Sequence, residues 1–386
     1  LNNRVNGSLE VYWNTTKDLL MAVPVDNTTG YSYQFQNFGK TSNRGIELSV
    51  NVDVINKGDF RFNVGAIYNY NRNKLDELPN ADQYLYSSYW GSSSLVPTND
   101  YMFVEGKAIG LVRGFISEGY YTVDDFNYTN GQYVLKEGVP DITKALTATY
   151  MHPYDLPAGQ TAFPGAAKFR DVDESGTVDL DDATCLGEVM PRHTGSFQLN
   201  FNYKNFDLST NFNWTAGGKV YNVAAMINAS GQEFDGIGAQ RASWVADAFK
   251  VYNVNAAGDL YAVTNPDELR ALNANAKYHL PYHQSGITSS EWLENGSYLR
   301  LQTLTLGYTL PKNWLTKVHV DKIRLYLTAT NLFTITGYSG IDPEVNANPT
   351  GQSGFYSDLR IFPTLNMDFG TYPRARTFTF GANITF

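Results

Sequence analysis

The chain has 386 residues, which is enough for two ordinary soluble domains or for one large β architecture. Aromatic residues make up 14% of it and charged residues only 17%, a composition that favours β-sheet over helical bundles. A net charge of −9 at pH 7 argues against nucleic acid as a partner, and one cysteine, Cys185, excludes an internal disulfide.

The first residues, LNNRVNGSLEVYW, resemble part of a strand and not a signal peptide, so we expect a segment of a longer protein. From there, apolar and polar residues alternate with period two along seven further stretches. In the first of them Ile46, Leu48 and Val50 face one way, and Glu47 and Ser49 face the other. Such alternation predicts strands with one apolar face, at residues 46–54, 60–70, 197–203, 206–214, 304–310, 323–333 and 376–386.

The connections between these stretches are strongly uneven in length. The short links are 56–59, 204–205 and 311–320, and the long ones are 14–44, 74–99, 122–193, 215–296 and 335–373. A soluble β-sandwich rarely carries loops of that length, whereas outer-membrane barrels combine short periplasmic turns with long external loops. The chain has no apolar run of about 18 residues, which excludes a transmembrane helix but not a barrel, since barrel strands alternate.

If the C-terminus is periplasmic, successive strands cross the membrane in opposite directions and every long loop should lie outside. A single strand within residues 74–193 would break this rule. Two strands fit instead, a short one in DYMFVEG at 100–106 and a second in GLVRGFISEGYYT at 110–122. The sequence thus predicts ten antiparallel transmembrane strands with five long external loops. Ten strands in 386 residues is about 39 residues per strand, so a plugged barrel of ~22 strands would need roughly 850 residues. This chain is then about the last half of such a barrel.

One of the long loops contains DVDESGTVDLDD, residues 171–182, which has the spacing of a calcium-binding EF-hand loop. The predicted ligands are side-chain oxygens of Asp171, Asp173, Ser175, Asp179 and Asp182 and the backbone carbonyl of Thr177. The last ligand is the shorter Asp instead of Glu and no amphipathic helices flank the loop, which argues against a calcium sensor. We expect one structural Ca²⁺ that braces the external loop 122–193 in place of a hydrophobic core; a solvated acidic turn is the alternative.

Aromatic side chains exposed in the external loops could stack on sugar rings or on peptide side chains. DQYLYSSYWG places four candidates close together, namely Tyr84, Tyr86, Tyr89 and Trp90. Packing within the loop, or an interfacial girdle, is the other interpretation of this cluster. Further residues lie near the predicted outer rim, where substrate must pass: Trp244, Trp292, Tyr338, Asp342 and Glu344.

Two other patterns do not indicate a site. His279 and His283 have the i, i+4 spacing of a zinc pair, but Pro281 lies between them and no HExxH motif is present. Acidic pairs such as Asp124 and Asp125 have no visible partner across a cleft, as a glycosidase would need. The sequence therefore indicates a protein that is not an enzyme.

Several stretches, in their order and spacing, resemble the C-terminal barrel part of SusC/RagA-type TonB-dependent outer-membrane transporters. They are TTKDLL (15–20), SNRGIELSV (42–50), FRDVDESGTVDLDD (169–182), YKNFDLS (203–209), GSYLRLQTLTLGYTLP (296–311), RLYLTATNLFTITGYSGIDPEV (324–345) and FTFGANITF (378–386). The resemblance implies import of oligosaccharides or peptides through a plugged barrel in the bacterial outer membrane, driven by TonB, with a SusD-like surface lipoprotein as lid.

On this resemblance the whole chain, 1–386, is the C-terminal part of a transmembrane β-barrel domain that contacts outer-membrane lipid. We expect the plug domain and the early strands to lie outside these residues, so no energy-coupling residue can be assigned. Two other functions stay open from the residues alone. One is a passive porin or barrel enzyme, and the other is a soluble, calcium-dependent, lectin-like adhesin.

Overall fold

The computed structural model describes most of the chain, and every structural statement below refers to that part. The described residues are 4–24, 26–31, 33–37, 39–78, 83–88, 95–147, 152–230, 242–280, 286–315, 320–345 and 365–386.

The main element is one antiparallel sheet of eight strands, in which each strand pairs with the next one along the chain. Its strands are β1 (Val5–Lys17), β2 (Lys40–Lys57), β3 (Phe60–Glu77), β4 (His193–Tyr203), β5 (Phe206–Ala216), β6 (Tyr298–Thr309), β7 (Lys322–Thr336) and β8 (Thr377–Thr385). Short links join β2 to β3, β4 to β5 and β6 to β7. The other four connections are long and all leave from the opposite end of the strands, as an outer-membrane barrel requires.

One face of this sheet is apolar because the strand registers align the predicted apolar residues. Leu48 lies opposite Leu9 on the neighbouring strand, and Leu327 lies between Leu306 and Phe380. These side chains are exposed, from 39% for Leu48 to 74% for Phe380, although they are large and apolar. The predicted register is therefore confirmed, and this face, called the outward face below, is the surface that contacts lipid in a membrane barrel.

The opposite, inward face is polar and hydrogen-bonded from strand to strand. Asn63 donates to Asp53 at 2.9 Å, and Thr305 and Thr328 share a hydrogen bond of 2.9 Å. Near the short links, Arg324 donates to Asp207 through two nitrogen atoms. Polar side chains that point into a barrel satisfy one another in this way without contact with lipid.

Aromatic residues mark the end of the sheet at the short links. Phe60 and Tyr203 pack edge to face with ring centroids 6.3 Å apart, and Phe206 and Tyr308 lie 4.6 Å apart. Tyr203 and Phe206 are each 52% exposed on the outward face. Exposed aromatic side chains at this end have the position of an interfacial girdle in an outer-membrane barrel.

The long connections contain short elements of their own. The short strands are Leu20–Pro24, Tyr33–Asn37, Gln83–Tyr86, Tyr101–Val104, Leu111–Gly114, Ser117–Tyr120, Phe126–Thr129, Gln132–Leu135, Asp141–Ile142, Ala167–Phe169, Thr177–Val178, Thr184–Glu188, Lys219–Asn222, Tyr252–Val254, Leu260–Ala262, Leu293–Asn295 and Met367–Asp368. The α-helices are Lys144–Thr147, Val223–Ser230, Ala242–Asp247, Pro266–Leu272 and Lys312–Leu315, and the 3-10 helices are Asn27–Thr29, Val123–Asp125, Leu180–Asp182 and Ser290–Trp292. Within the described ranges, none of the helices has the length and apolar character needed to span a bilayer.

Two of the ten predicted strands do not belong to the large sheet, which corrects the strand count to eight among the described residues. They form the short strands Tyr101–Val104 and Leu111–Gly114, which lie in a separate four-stranded sheet. Four strand residues span about 13 Å, which is too short to cross an apolar band of about 25 Å. Because β3 pairs directly with β4, residues 78–192 form one connection where the sequence predicted two loops.

Among the described residues, β1 and β8 are the two edges of the large sheet. An edge strand exposes backbone N–H and C=O groups that lipid cannot satisfy, at a cost of several kcal/mol each. We therefore expect both edges to be covered by further barrel strands.

The long connections fold around two hydrophobic cores. The first core contains the fully buried Phe115, Tyr121 and Leu269, and it joins residues 115–178 to residues 249–287. The second core contains Tyr101, Tyr221 and Met226 and lies closer to the strand ends. The external loops of this chain are thus packed structures, which position the side chains described next.

Candidate functional site

The acidic loop 171–182 brings three of its carboxylates together. Side-chain oxygens of Asp171, Asp173 and Asp182 all lie within 4.8 Å of one another. Converging oxygens of this kind are what a hard cation such as Ca²⁺ requires. Three of the four carboxylates that the spacing predicted as ligands therefore lie close together, and binding of a cation stays a prediction.

Backbone N–H groups of the loop hold these carboxylates in place. Asp182 is fully buried and accepts hydrogen bonds from the N–H groups of Val172, at 2.6 Å, and Asp179, at 2.8 Å. Asp171 accepts one from Gly176 at 2.7 Å. Gly176 has a φ of +87°, a left-handed conformation that glycine adopts readily, so it makes the sharp turn that the sixth position of this motif requires.

The other three predicted ligands are arranged less favourably. The Ser175 hydroxyl donates to the Thr177 carbonyl at 3.0 Å, so these two oxygens are neighbours. Asp179 is not one of the three converging carboxylates, and it accepts a hydrogen bond from the N–H of Asp181 as the N-cap of a 3-10 helix. Hydrogen bonds from Ser175 lower the pKa of Asp173, which therefore keeps its charge near neutral pH. The donor set fits a cation with Asp171, Asp173 and Asp182 as its main ligands.

The loop lies on a hydrophobic core, and the expectation that a cation replaces such a core is wrong. Val178, within the loop, is fully buried in the first core. Its strand Thr177–Val178 pairs in parallel with Asp141–Ile142. Aliphatic and aromatic side chains recruited from two distant segments supply the core, which the local sequence of the loop does not reveal.

The aromatic candidates in DQYLYSSYWG are only partly described. Tyr86 is buried, and its ring stacks on Tyr101 and Phe103 with centroids 5.5 and 4.8 Å apart. Tyr84 is half-buried against the same core. This burial favours loop packing, the other interpretation of the cluster, for both residues. Tyr89 and Trp90 lie outside the described residues.

Two of the rim residues line a cleft near the ends of β5 and β6. Trp244 stacks on Tyr278 at 3.8 Å and lies 5.3 Å from Trp292. The cleft has a volume of about 210 Å³, and Glu291 and Glu294 also line it. Aromatic faces beside a few polar groups are typical of small-molecule sites. The sequence indicated the two tryptophans, whereas Glu291 and Tyr278 were missed because only the tertiary fold brings them there.

Glu291 and His279 form an unusual titratable pair beside this cleft. His279 Nε2 lies 3.9 Å from a carboxylate oxygen of Glu291. Burial raises the pKa of Glu291 to about 7 and lowers the pKa of His279 to about 4. His279 is thus a neutral, buried residue, which agrees with the interpretation that His279 and His283 do not form a zinc pair. His283 lies outside the described residues.

The remaining rim residues stabilise the connection that follows β7. Arg300 on β6 is only 2% exposed and forms ion pairs with Asp342 at 2.5 Å and Glu344 at 3.1 Å. The Tyr338 hydroxyl donates to Asp368 at 2.6 Å. Asp342 and Glu344 therefore neutralise a buried arginine, so their carboxylates already have partners within this chain.

The family model and the relatives that this chain matches all belong to the TonB-dependent receptors. Residues 1–332 match the family model described as TonB dependent receptor-like, beta-barrel. The chain is 30% identical over its full length to TonB-dependent receptor P3 of Formosa agariphila and 25% identical to TonB-dependent receptor SusC of Bacteroides thetaiotaomicron. It covers 32% and 30% of those proteins, so the chain spans about a third of the length of the relatives it matches.

A solved structure shows the same fold. The RagAB peptide transporter superposes with a TM-score of 0.65 at 22% identity, over 100% of this chain and 34% of the transporter chain. The soluble sandwich of the adhesin alternative does not have this architecture. Each of these similar proteins is named as a receptor or a transporter and not as an enzyme.

Proposed function

Because this chain belongs to the TonB dependent receptor-like β-barrel family of the outer membrane, we propose that it forms part of the wall and external loops of an active importer of oligosaccharides or peptides. The observation that carries this proposal is the two-sided sheet. Its outward face exposes apolar side chains such as Leu306 and Phe380, while its inward face is lined by hydrogen-bonded polar groups such as Thr305 and Asn63. A barrel strand that faces lipid on one side and a polar interior on the other has this arrangement.

The external loops support a role in substrate capture. They are packed around two cores, and at the surface of the second core a small cleft is lined by Tyr278, two glutamates and the largely buried Trp244 and Trp292. Binding groups are commonly placed on loops that a rigid scaffold positions. The similarity to the RagAB peptide transporter supports peptides, and the resemblance to SusC/RagA-type transporters supports oligosaccharides as well, so both substrate classes are retained.

The proposed partners are a SusD-like lipoprotein, which would cover the external loops, and TonB, which would supply energy through a plug domain. The resemblance to SusC/RagA-type transporters supports both partners, and a similar solved structure is that of the RagAB peptide transporter. A passive porin is the second candidate for the barrel, because a porin has the same two-sided strands.

The test is uptake by bacteria that carry the full transporter as their only copy. Panels of fluorescent oligosaccharides and peptides are supplied to cells with and without a functional TonB gene. We expect uptake of one panel, lost on deletion of the gene for the transporter or for TonB. Uptake that persists without TonB would indicate a porin, and no uptake of either panel would contradict the proposed substrates.

A matched pair of variants tests the cleft. Glu291→Gln keeps the shape of the side chain but removes its carboxylate beside Trp244 and Trp292. Glu137→Gln removes a carboxylate from an exposed turn of the other external loop. We expect reduced uptake only for the first variant. Equal uptake by both variants would remove the cleft from the substrate path.

We further propose that the acidic loop binds one structural Ca²⁺ through Asp171, Asp173 and Asp182, with Ser175 and Thr177 as additional oxygen donors. The convergence of three carboxylates within 4.8 Å supports this site. Asp179 would join only if its side chain left its hydrogen bond to the N–H of Asp181. The ion would stiffen the surface of a core that is already folded.

A further inference from the structure

Two arginines lie opposite each other on the lipid side of the large sheet. Arg44 on β2 pairs in register with Arg72 on β3, and Ile46 and Tyr70 form the next row on the same face. Opposed like charges on one face of a sheet repel each other and destabilise it. An anion between them would convert this repulsion into attraction.

Neither arginine has an acidic partner in the described part of the chain. The nearby ion pairs join Lys40 to Glu77 at 2.9 Å and Lys74 to Asp76 at 3.3 Å, and neither arginine takes part in one. Both Arg44 and Arg72 are exposed. Two guanidinium groups are therefore available on a face whose rows toward the short links are apolar, from Ile46 and Tyr70 onward.

The height of the pair on the sheet corresponds to lipid headgroups. Phe60 and Tyr203 mark the interface at the short links, and Arg72 lies 12 residues further along β3 than Phe60. Twelve residues of a strand tilted by about 40° rise about 30 Å, slightly more than the apolar band of about 25 Å. The pair is thus just beyond the hydrocarbon, on the side of the long loops.

Trp13 on β1 completes the site. The Arg44 guanidinium carbon lies 3.7 Å from the centroid of the Trp13 ring, which fixes the arginine in a cation–π contact. Trp13 is 66% exposed, as an indole at a membrane interface is. Below the pair, a shallow depression of about 360 Å³ is lined by Val11, Trp13, Ile46 and Tyr70.

We propose that Arg44 and Arg72 bind the phosphate of an anionic lipid headgroup in the outer leaflet. Two guanidinium groups match phosphate oxygens through paired, charge-assisted hydrogen bonds. An acyl chain of the same lipid fits the apolar depression toward Val11 and Ile46, which a free phosphate ion would leave empty. The site would fix a lipid beside β1 to β3 and does not depend on the imported substrate.

The experiment uses the full transporter in non-ionic detergent, with bound lipid counted by native mass spectrometry after addition of phosphatidylglycerol or phosphatidylcholine. The test variant is Arg44→Gln/Arg72→Gln. The control is Arg4→Gln/Arg61→Gln, which removes two arginines that face inward near the short links. We expect wild type and control to prefer phosphatidylglycerol, and the test variant to bind it about tenfold more weakly.

Folding is checked by migration of unheated samples on a denaturing gel, where all three proteins should run as folded barrels. A second arm adds inorganic phosphate in excess, which should leave most of the phosphatidylglycerol bound. Equal phosphatidylglycerol binding by folded wild type and test variant would overturn the proposal, since another part of the transporter would then neutralise the arginines. Complete displacement by inorganic phosphate would also overturn it and indicate a site for a soluble anion.

Discussion

The carboxylate of Asp182 accepts a hydrogen bond from the backbone N–H of Val172 at 2.6 Å and so joins the last position of the acidic loop to its second. The same carboxylate accepts from the N–H of Asp179, and Asp182 is fully buried. Asp182 thus closes the loop from within. Asp173 is exposed and accepts a hydrogen bond from the N–H of Ser175, two residues away, so it is the better residue for a test of calcium.

We expect Asp173→Asn to weaken Ca²⁺ binding by at least about tenfold, because it removes one of three converging charges. An asparagine oxygen can still accept the hydrogen bond that Ser175 N–H donates to Asp173, so the loop should stay folded. The measurement is the rate of proteolysis within 171–182 as calcium is titrated. Glu174→Gln is the control, since Glu174 lies in the same loop but outside the ligand set. If calcium protects neither wild type nor control, the loop is an acidic turn.

Charge on the outward face should prevent assembly. Leu306→Arg places a guanidinium among lipid chains, at a cost of about 2–4 kcal/mol near the membrane midplane. Thr305→Arg is the matched variant on the inward face, where it loses only the hydrogen bond to Thr328. We expect a lower folded yield in outer membranes for the first variant alone. Comparable losses in both would show that the two faces are assigned wrongly.

Removal of Arg300 should loosen the connection after β7. Arg300→Met leaves Asp342, which is 8% exposed, as a buried and unpaired carboxylate. Breaking a buried pair on one side costs about 3–5 kcal/mol. We expect faster proteolysis of residues 337–345 and a lower unfolding temperature.

Arg374→Met is the control for Arg300, because it removes the exposed partner of Glu344 and should cost at most about 1 kcal/mol. An equal effect of the two variants would mean that the burial of Arg300 does not matter to the stability of the connection.

The cleft should lose stability as the pH rises. The pKa of Glu291 is raised from 4.5 to about 7 in the folded state, so the protonated form is favoured there. The contribution of protonated Glu291 to the free energy of unfolding is fully present below pH 4.5 and is lost as the pH rises through about 7. The loss is about 3 kcal/mol at most. Glu291→Gln should therefore protect residues 286–295 from hydrogen exchange relative to wild type at pH 8, but not at pH 4.5.

His279 should act in the opposite direction. Its pKa is lowered from 6.5 to about 4 in the folded state. The contribution of neutral His279 to the free energy of unfolding is therefore present above pH 6.5 and is lost as the pH falls through about 4. Wild-type protection of the segment should thus decline on both sides of an intermediate pH. Protection by Glu291→Gln that is the same at both pH values would show that Glu291 is not responsible.

Alternation along the chain was sufficient to predict the register of the large sheet, because a half-buried strand shows its two faces in every second residue. It failed at 100–114. Tyr101, Met102 and Phe103 are all buried, so apolar residues follow one another without alternation there, and this was the available signal that the segment lies in a core. The rule that every long loop lies outside could not correct the error, because adding or removing a pair of strands leaves the remaining loops on the same side of the membrane.

The acidic loop was predictable for a related reason. Its predicted ligands lie within 12 residues, so their spacing indicated which carboxylates could converge, although Asp179 does not join the other three. The cleft was not predictable to the same degree. Glu291 meets Trp244 and His279 only through the tertiary fold, and burial, which shifts its pKa, leaves no mark in the local sequence.

The first core has a consequence for chimeric transporters. It is assembled from the connection between β3 and β4 and from the connection between β5 and β6. Hydrogen bonds join them, from the Tyr133 hydroxyl to the Thr264 carbonyl and from the Leu280 N–H to the Gly165 carbonyl, each 2.8 Å long. A graft of one loop onto a related barrel would expose half of this core, whereas moving both loops together keeps the first core whole. Natural exchange of binding specificity between such barrels should therefore transfer the two segments as one unit.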